Sequence, residues 1–297
     1  MSDLTRRGFL GHSAAAVGAL AAGTALTRAA EARPKPTSAA SQVELGRSGV
    51  KTSLLGMGTG STGVKHSSNQ VKLGEEKFKK LVRYAYDRGI TYFDTADQYG
   101  SHIYLREALR GIPREKLFLQ TKTRATTAAM ARADVERFRE ELGTDYLDTL
   151  LMHCMVKGSW PTDFRPVMDV LSEAKAKGKV RAVGVSCHGI DPLRTAAKND
   201  WIDVDLARIN PVGGNAGRMD GTPEQVAECL KAMHGRGKGV LGMKILAEGT
   251  LRTPEKQLES LRFVLGLGCV DAFVIGFESP AQIDQIMRHI DTVLKEG

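Results

Sequence analysis

Four side chains in this sequence have the types and order that suit proton handling at a carbonyl: Asp94, Tyr99, Lys122 and His153. Hydride attack on a carbonyl leaves a developing alkoxide that needs a proton. A tyrosine can supply it if a nearby cation brings its ordinary pKa near 10 down, and a carboxylate can fix that cation in place. The expected roles are Tyr99 as general acid, Lys122 as the charge that lowers its pKa, Asp94 as the partner holding Lys122, and His153 as the donor that orients the carbonyl oxygen. Each residue alone has a structural explanation: a capped loop, a lysine reaching for solvent, a packed histidine. Their joint appearance at the ends of consecutive apolar segments is what points to chemistry.

Those segments define the scaffold. Short apolar runs at 54–59, 91–96, 117–123, 147–153, 180–187, 204–210, 239–245 and 272–277 read as eight strands. Helix-period stretches separate them. In residues 75–88 the apolar Phe78, Leu81, Val82 and Ala85 recur at helical spacing, and Gly89 stops the helix. Thr222-Pro223-Glu224-Gln225, Thr253-Pro254 and Ser279-Pro280 read as capped helix starts. Eight β/α units in a chain of this length predict a (β/α)8 TIM-type barrel, and residues 42–53 predict an N-terminal β-hairpin that plugs its floor. In such barrels chemistry collects at the C-terminal strand ends, where the four residues fall.

Phe93-Asp94-Thr95-Ala96-Asp97-Gln98-Tyr99-Gly100 matches the D-T-A-x-x-Y-G signature of the aldo-keto reductases, and a lysine and a histidine follow at the ends of the next two strands. The chain resembles that family from about residue 43 to residue 293. The resemblance implies a catalytic tetrad of Asp94, Tyr99, Lys122 and His153, and a nicotinamide cofactor bound without a Rossmann domain. No G-x-G-x-x-G stands between a strand and a helix, Gly56-Met57-Gly58-Thr59-Gly60 being too loose. By the same likeness Gly58 and Thr59 fall on the nicotinamide side, and Ser186 of Gly184-Val185-Ser186 faces the carboxamide. Several positions depart from the family pattern. Cys187-His188-Gly189 follows that serine where asparagine is usual. Leu206 replaces a glutamine, leaving Asn210 as the nearest polar candidate. Met243-Lys244 stands where many relatives place a stacking aromatic. After the last strand, Gly276, Glu278, Ser279 and Gln282 replace the cations expected around a 2′-phosphate; Glu278 would repel a phosphate and accept from a ribose hydroxyl. Glu278 and the missing cations keep NAD(H) open, and NADP(H) is favoured on family habit, since Ser279 and the amides opening the last helix could hold a phosphate.

The 42% apolar and 26% charged composition is that of an ordinary globular chain. The net charge of +8 is spread among acids along helical stretches, so no nucleic-acid partner is expected. Cys154, Cys187, Cys229 and Cys269 form no C-x-x-C pair, so no metal is expected; four buried thiols and a Cys154–Cys187 bridge are both open readings. Thr5-Arg6-Arg7-Gly8-Phe9-Leu10 before an alanine- and glycine-rich stretch looks like a twin-arginine export signal ending near residue 32, followed by a linker at 33–41 and the barrel at 42–297. The expected partners are the export machinery and a small carbonyl or alcohol substrate, and the expected location is periplasmic, with a membrane anchor if the signal is uncleaved. The loop Gly213–Arg218, Trp160 and Met155 are candidate walls of the pocket. Two other functions fit parts of the pattern: a Schiff-base aldolase using Lys122, and a non-catalytic cofactor-sensing or partner-binding barrel.

Overall fold

The computed structural model describes residues 34–297. The stretch carrying the expected export signal lies outside the described residues.

Two short strands, β1 (Gln42–Glu44) and β2 (Lys51–Ser53), pair antiparallel into the expected hairpin. Eight parallel strands follow: β3 (Leu55–Gly58), β4 (Tyr92–Asp94), β5 (Phe118–Thr123), β6 (Leu147–Met155), β7 (Val180–Cys187), β8 (Val204–Arg208), β9 (Gly239–Met243) and β10 (Ala272–Gly276). They close in the order β10-β3-β4-β5-β6-β7-β8-β9. Helices α2 (Glu75–Asp87), α3 (His102–Leu109), α4 (Ala128–Leu142), α6 (Arg165–Ala176), α7 (Ile190–Lys198), α8 (Pro223–Gly235) and α9 (Pro254–Gly266) make the crossovers, and α10 (Pro280–Glu296) follows the last strand. Two single-turn helices, α1 (Asn69–Lys72) and α5 (Trp160–Asp163), sit in the loops after β3 and β6.

Strand alternation sorts the side chains into two layers. Tyr92, Phe118, Leu151, Ala182, Val204, Leu206, Leu241, Ala272 and Val274 fill the lumen, with Leu45 and Val50 of the hairpin packed beneath them. The hairpin therefore closes the N-terminal end of the barrel, and the opposite end stays free for a site. The outward-facing residues meet the buried faces of the helices in a larger cluster, where Phe78, Leu81, Val82 and Ala85 of α2 lie as their spacing predicts. A fully buried leucine or phenylalanine in either layer contributes about 1.5–3 kcal/mol. Thr222 and Gln225 form a reciprocal capping box on α8. A Cβ on Gly184 would lie 1.7 Å from the Val204 carbonyl oxygen, so glycine is required for β7 and β8 to approach as they do.

Several expectations change. The sixth and seventh barrel strands stop at Arg208 and Met243, because Asn210 and Lys244 have turned into loops. Trp160 is fully buried, donates from its indole to the Pro192 carbonyl at 3.3 Å and packs toward Trp201, so it belongs to the core and not to a pocket wall. The end of the expected linker is already docked, with Ala39 buried and its amide donating to Asp291 at 3.1 Å. All four cysteines are free, and Cys154 is half-buried instead of buried. It sits where β6 shifts register between Met152 and Met155, in the left-handed region at φ 62°. A non-glycine residue there costs on the order of 1–3 kcal/mol.

Candidate active site

Alternation carries the inner-face residues of five neighbouring strands up to the open end: Asp94 on β4, Gln120 and Lys122 on β5, His153 on β6, Ser186 on β7 and Arg208 on β8. Lys122 is 1% exposed, and Asp94 and His153 are each 5% exposed. The Lys122 ammonium donates to Asp94 Oδ1 at 2.5 Å and to the Thr95 carbonyl at 2.8 Å. Burial pushes the Lys122 pKa down, opposed by the Asp94 charge. Asp94 Oδ1 also accepts from Gln120 Nε2 at 2.7 Å. The same amide donates to the Tyr92 hydroxyl, and its oxygen accepts from Thr149.

Tyr99 enters from above, on a 3₁₀ turn (Asp97–Tyr99) after β4. Its ring centroid is 5.1 Å from Lys122 Nζ, and 5.7 Å from the His153 ring at an interplanar angle of 86°. Two glycines of the β3 loop hold the ring: a Cβ on Gly60 would lie 2.1 Å from Tyr99 Cε2, and one on Gly63 would lie 2.3 Å from Cδ1. Arg137 steadies the turn from below, donating to Asp97 at 2.8 Å and to Asp134 and Glu141.

Lys122 lies under the phenol as expected, and burial works against acidification of the hydroxyl. Burial, then the Asp94 charge, holds the Tyr99 hydroxyl well above the usual 10, with Arg208 pulling the other way. Two of the lysine's three donors go to Asp94 and Thr95, and the Asp94 carboxylate offsets part of its charge. Tyr99 is therefore a fully protonated phenol near neutrality. Burial, then Lys122, drives the His153 pKa well below 6.5, so its ring is neutral and keeps one N–H to donate; Nδ1 has no partner.

The cofactor-side candidates divide into two groups. Gly58 and Gly276 are register partners on β3 and β10, and side chains cover the space over Gly276: a Cβ there would lie 2.0 Å from Ser61 Oγ and 3.0 Å from Gln70 Nε2. Ser186 is fully buried on the lumen side and its hydroxyl has no partner, as a group waiting for a ligand amide would be. Met243 lies half-buried beside Arg208 on β9. The polar atoms of the others are already engaged by the chain. The Thr59 hydroxyl bonds the Asp94 carbonyl and Ser101. Asn210 donates to the Gly217 and Lys244 carbonyls and accepts from the Val212 and Gly213 amides, tying the loop after β8 to the end of β9. Lys244, left-handed at φ 60°, pairs with Glu248, which also meets Arg218 at 3.3 Å. Ser279 caps α10 by accepting from the Gln282 amide, the Gln282 side chain accepts from the Glu278 amide, and Glu278 accepts from Asn69 at 2.8 Å.

Comparison with known proteins places this arrangement. The family model described as "Aldo/keto reductase family" matches residues 54–263. The chain belongs to the aldo/keto reductase family. A solved structure from Pseudomonas aeruginosa, titled as an aldo-keto reductase, shares the barrel at TM-score 0.70 and 24% identity, over 85% of this chain and 95% of that one; a likeness this remote in sequence speaks for the fold alone. NADPH-dependent codeinone reductase 1-3 of Papaver somniferum is 32% identical over 179 residues, 51% of this chain and 52% of its own. NADH-specific methylglyoxal reductase of Escherichia coli is 25% identical over 195 residues, 57% and 59% of the two chains. The chain spans about half the length of the curated relatives it matches.

Within this family member, sequence reasoning singled out neither Gln120, Gly60 and Gly63 nor the His188–Arg208 pair as part of the site. Gln120 was legible in principle, since it lies two residues before Lys122 and so on the same strand face. The others depend on loop closure and strand shear, which have no local signature.

Proposed function

We propose that this chain is a nicotinamide-dependent oxidoreductase that interconverts a small aldehyde or ketone and its alcohol, with Tyr99 as the proton donor. The observation that carries this reading is the buried Lys122–Asp94 pair lying under the Tyr99 ring with neutral His153 across from it. Reduced nicotinamide supplies the hydride when bound. Ser186, buried with a free hydroxyl, suits its carboxamide. The protonated Tyr99 hydroxyl delivers the proton to the carbonyl oxygen, and a His153 N–H holds that oxygen in place. Lys122 then stabilises the phenolate left behind, and the Asp94–Gln120–Thr149 ladder keeps the ammonium from drifting. On this reading Lys122 acts on the product of proton transfer more than on the resting phenol.

At the adenosine end the local chemistry supports NADH over NADPH. Glu278, which accepts from Asn69 at 2.8 Å, is a carboxylate that would repel a 2′-phosphate and can accept from a ribose hydroxyl. The amino-terminal motif supports export by the twin-arginine route, which suits a protein that must take up its cofactor before leaving the cytoplasm.

The test is direct. Purified protein with NADH or NADPH and a panel of small aldehydes should consume the cofactor's absorbance at 340 nm, and Tyr99→Phe should stop it while leaving cofactor binding measurable by fluorescence. Cofactor binding without turnover on any carbonyl would favour a sensing or partner-binding barrel instead.

A further inference from the structure

The open end of the barrel carries more positive charge than hydride chemistry needs. Arg124, two residues beyond Lys122 and just past the end of β5, donates to Gln98 Oε1 at 2.8 Å, a neutral amide. Arg208, the last residue of β8, donates to His188 Nδ1. Its Nη1 lies 3.4 Å from Asp220 Oδ1, yet neither Asp220 oxygen is properly hydrogen-bonded by a side chain, and the Arg208 Nε is buried with no partner. His188 stands edge-on to His153 with ring centroids 6.1 Å apart, so a single imidazole separates Arg208 from the carbonyl site. Lys122 and Lys244 also act on His153 and His188, but each is paired with a carboxylate, Asp94 and Glu248, so Arg124 and Arg208 are the cations left over. Burial, then Arg208, brings the His188 pKa down to about 3, leaving its ring neutral.

This set decides between two ligands. His153, Cys154 and His188 offer three donor atoms all within 4.8 Å of one another, and Cys154 Sγ to His188 Nε2 is 3.7 Å, so a metal ion is the first candidate. Two features oppose it. Because Arg208 donates to Nδ1, the neutral His188 ring carries its proton on Nε2, the nitrogen a metal would need; ligand histidines show the reverse, with the remote nitrogen donating to a carboxylate or carbonyl. Arg124, held only to a neutral amide, and Arg208, whose Asp220 neighbour is not hydrogen-bonded to it, also repel a metal ion. The same field attracts an anion, and an unmet buried guanidinium N–H is a donor suited to a carboxylate oxygen.

We propose that Arg208, with Arg124 at the rim, recognises a carboxylate on the carbonyl substrate, so that this enzyme prefers short oxo acids to neutral aldehydes. The proposal rests on the oxidoreductase reading above and names the substrate class of that site. The placement of His188 between the anchor and His153 favours a substrate whose carboxylate and carbonyl are only a few carbons apart.

The experiment compares 4-oxobutanoate with its uncharged methyl ester, using the full chain and saturating cofactor. Wild type should show kcat/KM at least tenfold higher for the acid, and Arg208→Gln should cut that acid-to-ester ratio at least tenfold, chiefly through KM, with Arg208→Lys recovering part of it. If Arg208→Gln does not fold, Arg124→Gln should lower the same ratio by a smaller factor. Calorimetry with succinate against succinamide gives a readout free of turnover: wild type should bind only the dicarboxylate. An acid-to-ester ratio near one in wild type, together with no succinate binding, overturns the anion site and leaves the oxidoreductase reading standing. So does a ratio that survives Arg208→Gln while the affinity for NADH or NADPH falls, because the cations then serve the cofactor. If no carbonyl is turned over but succinate binds in an Arg208-dependent way, the oxidoreductase reading fails and the anion site stands.

Discussion

Asp205 should make this protein lose stability as the pH rises, and replacing it with asparagine should remove most of that loss. It lies on the outer face of β8, opposite in alternation to Val204 and Leu206, and is fully buried. Its Oδ1 accepts only a weak bond from the Cys187 thiol at 3.7 Å, and Oδ2 has no partner. The charges that reach it are Asp220, which opposes ionisation, and Lys238, which is too weak to offset burial; its pKa rises to about 8. An acid whose folded pKa exceeds its unfolded value holds an extra proton in the native state, so its contribution is intact below the unfolded pKa and is lost as pH climbs through the folded one. The window for Asp205 is therefore about pH 4 to 8, and at about 1.4 kcal/mol per unit the loss is on the order of 5 kcal/mol as an upper bound. Asp220, raised to about 6, adds a loss of the same sign over about pH 4 to 6. In Asp205→Asn the amide stands in for the protonated acid without ionising. Urea or thermal unfolding from pH 4 to 9 should show wild type falling across the whole window. The variant should fall only to about pH 6, ending several kcal/mol, or roughly 10 °C, more stable at pH 8 to 9. Parallel pH profiles for the two proteins, or a variant less stable at every pH, would show that Asp205 is ionised in the fold and refute the argument.

Other outcomes follow from the site. Gly60→Ala puts a methyl group into the Tyr99 ring, so kcat should drop at least tenfold with little change in thermal midpoint; equal activity would mean the ring is not held there. Lys122→Met leaves Asp94 buried without its cation and removes the charge that stabilises phenolate, so turnover should fall about a hundredfold or more in steady-state assays. Because Tyr99 is held well above its usual pKa, the rate of reduction should stay flat from about pH 6 to 9, with no descending limb from a phenol ionising near neutrality. Fluorescence titration should give tighter binding of NADH than NADPH, and Glu278→Arg should narrow or invert that preference.

Much of this protein was legible before its fold was seen. Strand and helix segments follow from hydrophobic periodicity and from caps such as Thr222 with Gln225, because these are local preferences written within a few residues. Asp94, Tyr99, Lys122 and His153 could be singled out because barrel strands run parallel, so polar residues at successive strand ends must share one rim. Tertiary structure decided the rest. Whether Lys122 acidifies Tyr99 depends on which carboxylate and carbonyl its ammonium reaches first, and Asp94 with Thr95 reaches it first. Thr59 and Asn210 have the right chemistry for a cofactor, yet loop closure turned their polar atoms inward. A Cys154–Cys187 bridge was open from the sequence, but strand packing leaves both thiols free and sets Cys154 against His188, with Arg208 fixing the tautomer of that ring. Residue type and order are properties of the chain alone. Burial, and the partner each charge finds, arise only when segments distant in sequence exclude water together.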